Sequence, residues 1–172
     1  ILTNEDLAKI RSVETTLDGA FRCSNIDMTW DAQSGVEGLE LAIKEMCWAA
    51  TDAVLQDQNI LVLSDRKQGP DRIAMPALLA TAAVHHHLVR QGLRMQTGLV
   101  VETGEAREVH HFCVLAGYGA EAINPYVAFE TIEEVRARKH PETAAADAEQ
   151  NYIKAIGKGI RKVMSKMGIS TY

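Results

Sequence analysis

No Cys-x-x-Cys pair occurs anywhere in these 172 residues; Cys23, Cys47 and Cys113 are odd in number and far apart. That spacing excludes a disulfide framework and a cysteine-rich metal or iron-sulfur site, and reads as buried thiols in a reducing compartment. Also missing is any apolar run long enough to span a bilayer, and the opening "ILTNEDLAKIR" lacks the basic flank and apolar stretch of a secretion signal, so the expected location is the cytoplasm, with no membrane partner. Positive charge is short: 18 Lys and Arg against 23 Asp and Glu give a net charge of -5, which argues against nucleic acid as a partner, since phosphate binding needs a concentrated basic surface. Phosphate-cradling glycine loops are absent too. "GYGAEA" follows a helical segment where a dinucleotide fingerprint would follow a strand, and "GKGIRK" lacks P-loop spacing, so both read as helix terminators and packing glycines.

What is present is the ordinary balance of a globular chain, with 47% hydrophobic and 24% charged residues. The length suits a single domain, residues 1–172, with a core large enough to need no staple. Short apolar runs alternate with amphipathic segments. "NEDLAKIRSV" reads as a short helix capped by Thr3 or Asn4, "FRCSNIDMTW" as a strand, and 36–58 as a helix with Leu39, Ile43, Met46, Cys47, Ala50 and Val54 on one face. "NILVLSD" is a buried strand, followed by the polar loop "RKQGPDR" and a helix from Pro76 to about Arg90, stopped by Gly92. "MQTGLVVE" gives the third strand, 105–116 the next helix, "GAEAINP" a fourth strand and 126–138 the helix behind it. "RKHPETAAADAEQ" reads as a surface connection. Beyond it Ile153, Ile156, Ile160, Val163, Met164 and Met167 recur at helical intervals opposite Lys154, Lys158, Arg161 and Lys162. Gly157 and Gly159 inside that helix hint at close packing or a break. The fold class is therefore α/β: a parallel sheet of alternating strands and helices, with four strand-helix units making an open sheet or a partial, degenerate (β/α) barrel whose exposed edges belong against another domain.

Carboxylates and imidazoles gather at "LVVETGEAREVHHF", 99–112. Asp65, Glu102 and Asn124 fall where strands should end, the functional rim of such sheets, or else they cap the turns that follow. Glu105 is expected in the first turn of the helix behind Glu102, where the helix dipole favours it. His85, His86 and His87 are consecutive, as are His110 and His111. Successive helical side chains diverge by about 100 degrees, so neither run can aim at one ion, and the HExxH spacing is missing. A site shared by one histidine from each helix competes with histidines that pack and buttress the strand ends. With no nucleophile, lysine or glycine-rich loop nearby, capping is the favoured reading of the carboxylates.

The order of segments carries more than any one residue. "ILVLSDR", then "PALLATAAVHHHLVRQGLRMQTGLVVETGEAREVHHFCVLAGYGAEAINPYVAFETI", then "NYIKAIGKGIRKVMSKMGIST" closely resembles the large (alpha) chain of the glutamate synthases, in the later part of the central domain where it adjoins the FMN domain. The resemblance extends over essentially the whole chain. It implies a parent enzyme in which an amidotransferase domain releases ammonia from glutamine, a tunnel delivers it to 2-oxoglutarate, and an FMN barrel reduces the product to glutamate. Electrons would arrive through an iron-sulfur cluster from ferredoxin or a nicotinamide cofactor.

Within that family the amidotransferase nucleophile is an amino-terminal cysteine, whereas residue 1 is Ile, and the cluster needs closely spaced cysteines that are not here. No catalytic, cofactor-binding or metal residue of the family maps onto this segment. The resemblance thus implies a connecting, non-catalytic piece, inactive alone, whose partners are the amidotransferase and FMN domains of the same polypeptide, with the helix in 148–172 leading toward the FMN domain. Asp65, His85, His86, His87, Glu102, Glu105, His110, His111 and Asn124 are then structural or interdomain corners. The rival readings are a metal-dependent hydrolase using the histidine-rich helices and a small flavin-binding module.

Overall fold

A computed structural model describes all residues, Ile1–Tyr172. Four strands, β1 (Cys23–Asp27), β3 (Ile60–Ser64), β5 (Gly98–Glu102) and β6 (Ala122–Asn124), form one parallel sheet in that order. Between and after them run α3 (Gly35–Leu55), α4 (Ala77–Arg90), α5 (Val109–Gly117) and α6 (Tyr126–Lys139). Strands that neighbour one another in sequence also neighbour one another in the sheet, which is the winding of a (β/α) barrel; the sheet stays open, so this is a partial barrel.

Period-2 alternation decides which side chain meets which layer. Ile26, Leu61, Leu63, Leu99, Val101 and Ile123 point to one face, where the helices α3, α4 and α5 bring Met46, Ala50, Val84, Leu88, Phe112 and Leu115 into the main core. Val62 and Val100 point to the other face and meet Leu7 of α1 (Asn4–Arg11), which closes a smaller second core with Leu2, Cys23, Ile60 and Ala122 around it. The hollow side of the half barrel is therefore filled by the chain's own first helix. Thr3 starts that helix in a capping box: its hydroxyl accepts from the Asp6 amide at 3.0 Å while the Asp6 carboxylate accepts from the Thr3 amide at 3.1 Å, a device worth about 1 kcal/mol.

Several expectations change on meeting the structure. The run "FRCSNIDMTW" is two strands, because the chain turns at the fully buried Met28 and sends β2 (Thr29–Asp31) away to pair antiparallel with β4 (Arg72–Ala74). The end of the "RKQGPDR" loop is thus part of a strand. The helix expected from 105 begins only at Val109, after a loop that buries Ala106, so Glu105 lies outside it. The alanine-rich connection is largely helix: α7 spans Ala145–Met167, since alanine is the best helix former and only 140–144 join it to α6. The two glycines of α7 differ. A Cβ on Gly159 would stand 2.2 Å from Val109 Cγ2, so α7 crosses the start of α5 at contact distance, whereas Gly157 meets nothing nearer than the flexible tip of Arg161 at 3.8 Å. No helix is long and apolar enough to cross a membrane.

Candidate functional site

The carboxyl ends of β3, β5 and β6 form a rim on the hollow side, and Glu102 sits at its centre, 1% exposed. Strand alternation turns Glu102, like Val100 two residues earlier, toward α1. There Arg11 reaches it with two nitrogens, Nη2 at 2.6 Å and Nη1 at 3.3 Å; Arg66 Nε adds a bond at 3.0 Å and Ser64 Oγ one at 2.5 Å. Burial alone would raise the Glu102 carboxyl, but the bonds from Arg11 and Ser64, the Arg11 charge and the Arg66 bond outweigh it and hold the group below the usual glutamate value. Every lone-pair direction of this carboxylate is spoken for. Arg66 itself is committed twice more, to Glu130 at 3.2 Å and over the Tyr126 ring at 4.0 Å.

Asp65, also 1% exposed, faces the opposite way from Ser64. It accepts from the Thr103 hydroxyl at 2.6 Å and the Gly104 amide at 3.1 Å, with the Tyr126 hydroxyl beside it. Burial raises its carboxyl above the ordinary aspartate value despite these bonds, and burial together with the Asp65 contact raises the Tyr126 phenol in turn. Asp65 thus pins the 103–104 turn against the end of β3. Asn124, wholly buried, donates its amide to Leu2 O at 3.1 Å and Asn4 Oδ1 at 3.0 Å, tying β6 to the segment ahead of α1.

Glu105 is exposed and caps a helix other than the one it precedes: its Oε2 accepts from the Ala77 amide at 2.6 Å, satisfying a free N–H at the start of α4. His111 accepts the Arg107 amide through Nδ1 at 3.1 Å and forms the capping box of α5 with Glu108. It shares a shallow cleft of about 280 Å³ with Ala77, Leu78 and Glu105. His110 is exposed. His85, His86 and His87 lie near the far end of α4, at least eight residues, or about 12 Å, from Ala77. Their partners diverge: His85 Nδ1 accepts from Arg94 Nε at 3.0 Å, His87 Nε2 meets the Thr51 hydroxyl at 2.8 Å with Trp48 edge-on at 5.3 Å, and His86 is exposed. Burial, then the charges of Arg94 and Arg90 respectively, lowers both His85 and His87 below the ordinary imidazole value. The structure therefore brings together Glu102 with the rim residues Ser64 and Arg66, and Glu105 with His111; it separates the two histidine runs. Arg11, Ser64, Arg66 and Tyr126 escaped the sequence reading, Arg11 because it stands 91 residues from its carboxylate.

A four-stranded parallel sheet with alternating helices, wound in barrel order and left open, places the chain among the α/β domains of partial-barrel type. The chain belongs to the glutamate synthase central domain family, whose model matches residues 1–172. It is 37% identical over 179 residues to the glutamate synthase [NADH] of Saccharomyces cerevisiae, covering 99% of this chain and 8% of that protein. Against the glutamate synthase [NADPH] large chain of Bacillus subtilis it is 40% identical over 171 residues, with 99% and 11% covered. The ferredoxin-dependent, chloroplastic glutamate synthase of Spinacia oleracea is 41% identical over 166 residues, with 89% and 10% covered. The chain thus spans about a tenth of the length of the curated relatives it matches.

Neither redox group of the resembled enzymes fits the residues of this chain. Cys23 is on β1, Cys47 on α3 and Cys113 on α5, and burial raises all three thiols, the reverse of what thiolate ligands of a cluster need. A flavin phosphate would need uncommitted cations or amides at the strand tips, and Arg11 and Arg66 are already bound to Glu102.

Proposed function

We propose that this chain is the connecting, non-catalytic portion of a glutamate synthase, holding other domains in register and making or breaking no bond itself. The parent would form L-glutamate from glutamine-derived ammonia and 2-oxoglutarate with reduced FMN, and its amidotransferase and FMN domains would be the partners, with α7 leading toward the latter. Residues 1–172 act as one domain in this reading, and cytoplasmic residence is part of the proposal, resting on the three unpaired thiols. The observation that carries the reading is that the strand-tip carboxylates facing the hollow are committed: Glu102 is bound by Arg11, Arg66 and Ser64 beneath a helix that fills the hollow, and Asp27 at the end of β1 accepts from Thr29 and Arg72. A general acid or base needs open approach to a substrate atom, and the buried Glu102 has none. Glu105, His110 and His111 then serve as a strand-to-helix corner, and Asp65, Asn124, His85, His86 and His87 as buttresses or interdomain contacts.

In the full-length enzyme, His110→Gln or His111→Gln should lower thermal stability or loosen the coupling between glutamine hydrolysis and glutamate formation. Loss of both half-reactions with the fold intact would make the corner catalytic and sink the proposal.

A further inference from the structure

The chain finishes one edge of its main sheet and leaves the other unfinished. At the β6 edge the outward carbonyl of Ile123 accepts the Leu2 amide at 2.9 Å, so the segment ahead of α1 runs along that strand. At the β1 edge nothing does the same. Ile60 N bonds Arg22 O and Met28 N bonds Ser64 O, each at 3.0 Å, and in a parallel ladder alternate residues bond to alternate sides. Arg22, Ser24, Ile26 and Met28 therefore face β3, which turns the N–H and C=O of Cys23, Asn25 and Asp27 outward. No bond outside the ladder takes them up.

We propose that this edge is an interaction surface for one further strand, running parallel to β1 and supplied by the parent polypeptide outside residues 1–172. Chains protect open edges with proline, lysine or bulges; Cys23–Asp27 contains none of these, and only its last residue meets a lysine, Lys67 at 3.3 Å from Asp27. All three existing strand pairs are parallel, so a parallel addition continues both the sheet and its right-handed winding. The helix attached to it would extend the helical layer beside α3. On α3, Thr51 touches His87 of α4, and the side turned away from that contact carries the exposed Ala49 between Ala42 and Ala53, which pack on the main core. The relatives are about ten times longer than the matched segment, and a strand tethered in the same polypeptide meets the edge at high effective concentration. The identity of the occupant rests on the scaffold reading; the unpaired edge does not.

Hydrogen-deuterium exchange at single-residue resolution over 22–28 in the full-length enzyme tests this. The amides of Cys23, Asn25 and Asp27 should be as protected as those of Ser24 and Ile26, on the order of 100-fold or more slower than free amides. Alternation, with Ser24 and Ile26 protected and the other three exchanging freely, overturns the proposal. Protection that rises with protein concentration assigns the edge to a second copy and overturns it as well. A pair of variants separates backbone from side chain: Asn25→Ala loses only the side-chain bond to Arg11, 2.8 Å here, whereas Asn25→Pro also loses the outward N–H. Asn25→Pro should release Cys23 and Asp27 to exchange while Ser24 and Ile26 stay protected, and Asn25→Ala should release none of them; identical behaviour of the two variants refutes a paired edge. Failure of the scaffold reading would show instead as lost chemistry in the His110 or His111 variants with this exchange pattern unchanged.

Discussion

Glu102→Gln isolates the contact on which the hollow side depends. The substitution keeps shape and volume but removes the charge that faces two guanidinium groups and replaces one acceptor oxygen with a donor. Removing one partner of a fully buried ion pair costs about 3–5 kcal/mol. Here Glu102 is buried, but the Arg11 and Arg66 side chains are 35% and 41% exposed and can turn toward water, so about 2–3 kcal/mol is the expected loss. With an m-value of about 2 kcal/mol/M, urea unfolding of residues 1–172 should show a midpoint lowered by about 1 M at pH 7. The pH dependence gives a second check. Because the folded carboxyl sits below its unfolded value of about 4.3, its stabilisation is present above that value and is lost as the pH falls through the folded one. Wild type and variant should therefore converge in acid. A penalty below about 0.5 kcal/mol at pH 7, or one that persists undiminished at pH 3, would refute the reasoning.

The two glycines of α7 should respond in opposite directions. Gly157→Ala adds a methyl in open space and should stabilise by up to about 1 kcal/mol, while Gly159→Ala drives a Cβ into Val109 and should cost about 1–3 kcal/mol; urea midpoints of both variants, with limited proteolysis of α7, read the difference. His85 must present a bare Nδ1 to Arg94, and its folded value lies below the ordinary 6.5. Its contribution is therefore present above that pH and lost as the pH falls through the folded value. Glu121 and His86 also face it, Glu121 opposing the shift and His86 adding to it. Stability of the wild type should fall between pH 7.5 and 5, and His85→Asn should show a shallower fall by the same urea assay; an unchanged slope would exclude His85 as its source.

Most of the layer order was legible because β3 is an unbroken apolar run, α3 has a strong period, and α4 is bounded by Pro76 and Gly92. The β2–β4 pair was not, since Thr29–Asp31 continues the alternation of β1 and only the turn at Met28 reveals the break. Of the site, Asp65, Glu102 and Asn124 were recognised as strand ends from their position behind apolar runs. Their partners were invisible, because Arg11 and Leu2 come from distant segments and nothing local marks them. Glu105 illustrates the same limit: local rules place it in its own helix, while the Ala77 amide across the layer is what it binds.

The ties from Leu2 and Asn4 to 123–124, and from Arg11 to Glu102, set an order of assembly. During synthesis the first dozen residues emerge long before their berths exist, and they must wait for more than a hundred others to leave the ribosome. The segment 1–11 thus docks only after β5 and β6 have formed, and substitutions at Leu2, Asn4 or Arg11 should disturb completion of the fold more than its nucleation.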